Sequence, residues 1–199
     1  DANEPITIEH VTSTKARNSL VGYTHLTLVG EGPYMVTDNR FQGGYWAVAA
    51  GKADTESNSR AEALVINLQN NFFYDYYNHG VLIDVNHQSA QVHVEHNTFF
   101  SDYNGNTFSH DHLWFRSLAV DQGATIKNNI FASNQQYQGI DADSSTYKPD
   151  AHHNLFYSRW YQNVSGVHFM RNWKGWQDDG TNDRGNPLFV DESTWDFRQ

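Results

Sequence analysis

Apolar and polar positions along the chain recur in a frame that ends in Asn–x–Phe. The frame occurs as YMVTDNRF, INLQNNFF, VHVEHNTFF, ATIKNNIF and PDAHHNLF. Its asparagines are spaced by 25 to 32 residues and are Asn39, Asn71, Asn97, Asn129 and Asn154. A repeat of 20 to 50 residues is typical of solenoids and propellers, so the pattern predicts a repeat protein.

Within each frame, the two apolar positions before the asparagine are two residues apart, as for Val92 and Val94. This is the period of a β-strand, and the chain contains no long stretch with the 3.6-residue period of a helix. Asparagine tolerates the left-handed backbone conformation that turns a strand sharply. Asparagines stacked at equal positions can also hydrogen-bond along a ladder. We therefore predict an all-β solenoid of short strands with an asparagine ladder.

With these frames, residues 34–189 resemble the right-handed parallel β-helix proteins of the pectate-lyase-like superfamily. The resemblance implies coils of three short strands, with an asparagine-bearing bend between the second and third strands. A second segment, AHHNLFYSR followed by GVHF, resembles part of the pectate lyases. It lacks the Arg–x–Pro–Arg cluster of those enzymes and retains only Arg159, which we predict to bind substrate. The resemblance therefore extends to the superfamily and not to pectate lyase activity.

Length and composition narrow the choice of function. The 199 residues suit one domain, 1–199. Because its solenoid ends are uncapped, we expect this domain to belong to a longer chain or to pack against another chain or domain at one end. There is no cysteine, and no apolar run approaches the roughly 20 residues of a membrane span. A net charge of −10 argues against a nucleic-acid partner. Aromatic residues make up 15% of the chain, which favours exposed rings that stack on a ligand. We expect this ligand to be a polysaccharide or oligosaccharide and the protein to be secreted or on the cell surface.

Equal offsets from the asparagines predict a row of ionisable groups. The residues 13 positions before Asn97, Asn129 and Asn154 are Asp84, Arg116 and Asp141. Equal offsets place them on one outer face, about 4.8 Å apart on successive coils.

The alignment of SGVHF with QGIDA adds His168 to this row, and Trp114 and Asp143 lie in the two flanking rows. One interpretation is a surface ladder of weak ion pairs. The other is a sugar-binding cleft, because in the resembling enzymes the cleft runs along this face.

Two catalytic mechanisms fit the row, and a non-catalytic module is a third interpretation. A polysaccharide lyase would use Arg116 to neutralise a uronate carboxylate or, as the resemblance implies, as the base, with His168 as the less demanding base. Asp84, Asp141 and Asp143 would offer oxygen ligands for calcium. An inverting hydrolase would instead use Asp84 and Asp141, at a separation of about 9.6 Å. The last interpretation is a β-helix that binds glycans or serves as a structural module.

Two further groups of residues stand out. His110 and His112 flank Asp111 in a predicted loop before Trp114, where they would overhang the cleft and contact substrate. A second outward row consists of residues two positions before an asparagine, namely Gln69, Glu95, Lys127 and His152. The neighbouring Glu95 and Lys127 are predicted to form a structural ion pair.

Overall fold

The chain forms a parallel β-helix of three sheets. The structure, a computed structural model, describes residues 4–16, 24–30, 32–51, 64–85, 90–101, 111–116, 124–133, 138–142, 150–158, 170–171, 180–184 and 187. All regular structure in these residues is β-strand, and every strand pairing is parallel. None of the described segments is a helix long and apolar enough to cross a bilayer.

The three sheets run along the solenoid, and the described residues supply six strands to sheet A, seven to sheet B and six to sheet C. Sheet A contains β1 (Ile6–Glu9), β4 (Tyr34–Thr37), β7 (Val65–Gln69), β10 (Gln91–Glu95), β13 (Ala124–Lys127) and β16 (Asp150–His152). Sheet B contains β2 (Thr12–Thr14), β5 (Arg40–Gln42), β8 (Phe72–Tyr74), β11 (Thr98–Ser101), β14 (Ile130–Ser133), β17 (Leu155–Ser158) and β19 (Asp183–Arg184). Sheet C contains β3 (Leu26–Leu28), β6 (Trp46–Ala50), β9 (His79–Asp84), β12 (Asp111–Arg116), β15 (Gln138–Ala142) and β18 (Met170–Arg171).

The predicted asparagine ladder is confirmed at the bend between sheets A and B. From Asn39 to Asn154, each asparagine donates its main-chain N–H and its side-chain amide to the Oδ1 atom of the asparagine in the next coil, at 2.9–3.1 Å. The same amide donates to a main-chain carbonyl of the preceding coil at 2.7–2.8 Å. Asn182 is a further member that the repeat did not predict, and Val11 takes the corresponding place in the first coil. The ladder thus ties neighbouring coils together.

The sharp turn itself is made one residue earlier than predicted. The residues with left-handed backbones directly precede the ladder asparagines, with φ between 54° and 57°; they are Asp38, Asn70, His96, Asn128 and His153. The side chain of the ladder asparagine lies inside the bend. There its carbonyl oxygen accepts hydrogen bonds and its NH2 group donates them. The prediction that asparagine favours this bend is confirmed, but its position in the turn is corrected.

The phenylalanines of the frame form a stack inside the solenoid. Adjacent ring centroids lie 4.8–5.6 Å apart along the stack, which consists of Phe41, Phe73, Phe99, Phe131 and Phe156. All five rings are buried within one apolar core that also receives the inward aliphatic residues of sheets A and C. Because the interior is filled by side chains, a ligand site has to lie on the outside of the tube or on its connections.

Candidate functional site

The outer face of sheet C carries the ionisable residues that the sequence singled out. In β9, Val81 and Ile83 point into the core, whereas Leu82 belongs to a separate cluster on the outer face. This alternation follows from the pleat of a strand. Asp84, two residues after Leu82, therefore lies on the outer face as well.

Arg116 and Asp84 are neighbours on this face, as predicted. The two residues are paired in register between β12 and β9, and Arg116 Nη1 lies 3.9 Å from Asp84 Oδ2. The Arg116 side chain is 38% exposed, whereas that of Asp84 is completely buried. The Arg116 guanidinium carbon also lies 5.7 Å from the centre of the Trp114 ring. A buried carboxylate and an indole therefore hold a guanidinium that is still open to solvent.

The predicted position of Asp141 beside Arg116 is wrong. Asp141 pairs in register with Trp114, two residues away from the predicted place along the strand. Trp114 lies 15 residues before its ladder asparagine, whereas Asp141 lies only 13 before Asn154. The connection from sheet C to the next strand of sheet A is thus two residues shorter in that coil, and an equal offset no longer means an equal register.

This shift separates the two carboxylates that the hydrolase hypothesis needs. Asp84 and Asp141 differ by two coils and by two residues along the strand, which puts their Cα atoms roughly 12 Å apart. Asp141 is itself only 5% exposed. Paired carboxylates of inverting hydrolases lie about 6.5–9.5 Å apart and must both reach the substrate. The observed geometry does not support that pairing.

Aromatic side chains adjoin Trp114 at the beginning of the sheet C strands, and the sequence analysis did not single them out. His79 packs its ring 4.6 Å from that of Trp114, Tyr45 lies 5.0 Å from Trp46, and Tyr45 stacks on Tyr77 at 5.7 Å. We call these five residues the aromatic cluster. All five are half-buried or buried, and none of them belongs to the core of the tube. Burial also raises the pKa of Tyr45, against the opposing effect of a hydrogen bond from Asn78.

His79 in this cluster is held by Asp111. The main-chain N–H of Asp111 donates to His79 Nδ1 at 3.2 Å, and the Asp111 carboxylate lies 3.6 Å from the same nitrogen. Since Nδ1 accepts, a neutral His79 ring carries its proton on Nε2. The sequence did hold a signal for this pair, because His79 and Asp111 have the same offset from Asn97 and Asn129.

His112 does not overhang the cleft, and its predicted loop position is corrected. It belongs to β12, and its ring is buried in the tube near Phe99 and Phe131, with Nδ1 hydrogen-bonded to the Tyr76 hydroxyl. Burial lowers the pKa of His112 to about 3, so the ring is neutral. The strand begins earlier than predicted, and the His112 side chain faces inward. This placement removes His112 from the substrate-binding set.

Four other predicted site residues lie outside the described residues, namely His110, Asp143, Arg159 and His168. Their predicted roles in substrate binding, calcium binding and catalysis stay predictions. The predicted place of His168 beside Asp141 is wrong, however, because Asp141 pairs in register with Arg171. Within the described segments, no three His, Asp or Glu side chains cluster so as to hold a metal ion. Asp84 and Asp141 in particular do not fit a shared calcium site, because of their separation and because Asp84 is buried against Arg116.

No protein-family model, characterised protein or solved structure matches this chain. The fold and the outer face of sheet C therefore carry the functional argument alone. What that face offers is a fixed, accessible cation beside aromatic rings. Such an arrangement can bind an anionic group attached to a ring-shaped ligand.

Proposed function

We propose that this protein is a carbohydrate-active β-helix, specifically a polysaccharide lyase that binds a uronate-containing glycan along the outer face of sheet C. The observation that carries the proposal is the Arg116 guanidinium, held between buried Asp84 and the Trp114 ring yet 38% exposed. Arginine matches the planar geometry of a carboxylate with two parallel hydrogen bonds. The half-buried rings of the aromatic cluster, those of Tyr45, Tyr77 and Trp114, supply surface on which sugar rings can pack. A glycan substrate also favours a secreted or cell-surface location.

The reaction assigned to this site is β-elimination. Arg116 neutralises the uronate carboxylate and so makes the proton on the adjacent C5 more acidic. A base removes that proton, a double bond forms between C4 and C5, and the bond from C4 to the glycosidic oxygen breaks, with a proton going to the leaving oxygen. Asp84 acts on Arg116 rather than on the substrate, because its carboxylate is buried and faces the guanidinium.

The identity of the base stays open between two of the predicted residues. Arg116 would have to lose its own proton before it could accept one, which a guanidinium strongly disfavours. His168 is chemically the more suitable base, although not at the register first predicted, because Asp141 pairs with Arg171. Arg116 already faces the Asp84 carboxylate, so a calcium ion at the substrate carboxylate stays a separate prediction.

A non-catalytic glycan-binding module is the second candidate. It is favoured by the burial of Asp84 and Asp141, since neither carboxylate of the described part of sheet C is then accessible to act as the base. The two candidates share the same ligand and the same binding residue. They differ only in whether a bond is cleaved.

A panel of acidic and neutral polysaccharides tests the proposal. A lyase releases products whose unsaturated ring absorbs in the near ultraviolet, whereas a hydrolase releases reducing ends without that absorbance. Arg116→Ala should abolish product formation and also lower the melting temperature, because it removes the guanidinium beside the buried Asp84 carboxylate. Arg116→Lys keeps a positive charge there but loses the planar fork, so it should lose most of the activity and leave the melting temperature nearly unchanged. Arg40→Ala is the matched control, because Arg40 also lies over aromatic rings, Phe72 and Tyr74, but on sheet B.

Each outcome of the panel has a definite meaning. Retention on an acidic glycan gel that requires Arg116, without product, would support the binding module over the lyase. Full activity in Arg116→Lys together with a lowered melting temperature in Arg116→Ala would favour a purely structural ion pair. Equal losses of activity in Arg116→Ala and Arg40→Ala would remove the assignment to sheet C. Chelator treatment of the active protein tests the calcium prediction separately.

A further inference from the structure

Two consecutive histidines meet at the end of sheet A, on a different side of the tube from the proposed glycan site. The Nδ1 atoms of His152 and His153 are hydrogen-bonded to each other at 2.7 Å, and the two rings are nearly perpendicular with their centres 5.0 Å apart. One of the two nitrogens therefore carries a proton, which a bound metal ion would replace. Consecutive side chains of a strand normally point to opposite faces. Here the left-handed backbone of His153, with φ of 55°, breaks the alternation and brings both rings together.

The same backbone arrangement brings consecutive side chains together in another coil. At the equivalent bend, the Thr37 hydroxyl donates to Asp38 Oδ2 at 3.0 Å, and Asp38 also has a left-handed backbone. The contact between the two histidines is therefore a property of the bend and not of these two side chains alone. Among the five bends from Asn39 to Asn154, this is the one at which the sequence supplies two imidazoles.

The main chain beneath the two rings is fixed by its hydrogen bonds. His152 pairs in register with Lys127, and its carbonyl accepts the Asn154 side-chain amide at 3.1 Å. The His153 N–H donates to Thr181 Oγ1 at 3.4 Å, and the next residue, Asn154, is bound into the asparagine ladder. Little backbone freedom is left for a ligand to remove, which favours binding by preorganisation.

The charges around the pair also suit a cation. Lys127 is the neighbour of His152 in the same row, and its Nζ atom lies 3.0 Å from Glu95 Oε1 in the preceding coil. Its positive charge is thus paired with a carboxylate on the side away from the two histidines. The Asp150 carboxylate lies 3.7 Å from His152 Nε2, on the far side of the ring from His153. A carboxylate behind the second nitrogen of an imidazole is the usual support for a metal-bound histidine. His153 is exposed and His152 half-buried, so solvent ions reach the pair.

We propose that His152 and His153 chelate a first-row divalent transition-metal ion through their two Nδ1 atoms. Imidazole suits zinc, copper and nickel, whereas calcium and magnesium prefer oxygen ligands. Zinc–nitrogen bonds of about 2.0–2.1 Å in tetrahedral geometry require nitrogens about 3.3 Å apart. The rings therefore have to separate by only about 0.6 Å from their observed contact. With two protein ligands, water or a group from another molecule completes the coordination.

Zinc titration of the folded protein, followed by competition with a chromophoric chelator, tests this site. We expect a zinc site whose affinity is at least tenfold lower in His153→Asn. Asparagine tolerates the left-handed backbone, so this variant should fold, which circular dichroism will show. His96→Asn is the matched control, because His96 has the same left-handed backbone and exposure in another coil, and it should leave the affinity within about twofold.

The proposal is overturned if both variants bind zinc as the unaltered protein does, or if both lose affinity equally. It is also overturned if calcium displaces zinc at equal concentration. Nitrogen chemical shifts of the histidine rings provide a test that needs no substitution. Zinc should shift the Nδ1 resonances of His152 and His153 and leave those of His93, which is half-buried on the same face, unchanged. None of these measurements depends on the proposed lyase activity.

Discussion

Removal of one interior member of the asparagine ladder should destabilise the whole fold. The Asn97 side chain accepts the main-chain N–H of Asn71 at 2.9 Å and its amide at 3.0 Å. It donates to the Leu68 carbonyl at 2.8 Å, to the Glu95 carbonyl at 3.0 Å and to Asn129 Oδ1 at 3.1 Å. Alanine at position 97 cannot make any of these bonds, and the site is only 1% exposed, so water cannot easily replace them.

The expected loss follows from the groups left without partners. A buried donor or acceptor that loses its hydrogen bond costs about 1–3 kcal/mol, and the Asn71 N–H and the Leu68 carbonyl are both affected. We expect Asn97→Ala to lower the free energy of unfolding by roughly 3 kcal/mol, within a range of about 2–5 kcal/mol. Total stabilities are about 5–15 kcal/mol, so the effect should be plain.

Urea unfolding followed by circular dichroism and by tryptophan fluorescence provides the assay, and coincident transitions would justify a two-state treatment. Asn67→Ala is the control, because the Asn67 amide lies on the outer face and contacts the Met35 sulfur at 3.2 Å. It should change stability by no more than about 0.5 kcal/mol. A loss below about 1 kcal/mol in Asn97→Ala, or one equal to the control, would refute the assigned role of the ladder.

Two further predictions concern the interior of the tube. In Gly80→Ala, the added methyl group would lie 2.8 Å from the His112 carbonyl oxygen and 2.8 Å from Phe99 Cδ1. We therefore expect the free energy of unfolding to fall by about 1–3 kcal/mol, measured by thermal or urea unfolding. An unchanged melting temperature would contradict this close contact. Burial keeps the pKa of His112 at about 3 in the folded protein, against 6.5 for the free side chain, so the unfolded chain binds a proton at higher pH. Stability should therefore fall as pH drops from about 6.5 towards 3, by up to about 1.4 kcal/mol per pH unit from this group. His112→Gln should flatten that dependence, and an equal slope in both proteins would contradict the neutral buried ring.

Much of the architecture was predictable because each coil repeats the same local requirements. The Asn–x–Phe frame predicted the ladder, which is observed, and its phenylalanines form the stack inside the tube. The frame also predicted the outward row of sheet A, in which Glu95 and Lys127 are 3.0 Å apart. These features depend on residues close together in sequence, at fixed distances from the bend.

The candidate site was only partly predictable, since it lies beyond connections of unequal length. Arg116 and Asp84 were placed together correctly because their coils have the same spacing to the ladder. Asp141 was misplaced by two residues, because a shorter connection shifts its register without any change in the strand pattern. His112 was misjudged for a different reason: nothing in its immediate sequence shows that the tube has room for its ring beside Tyr76.

The sequence by itself determined the repeat, the class of fold and most of the residues that line the inside, because the bend and the strand period are local properties of the chain. Only the tertiary structure decided which side chains are neighbours on successive coils and which are open to solvent. Register depends on the length of each connection, and burial depends on everything packed around a residue. For this reason the structure left Arg116 accessible, buried its partner Asp84, and brought two consecutive histidines into contact.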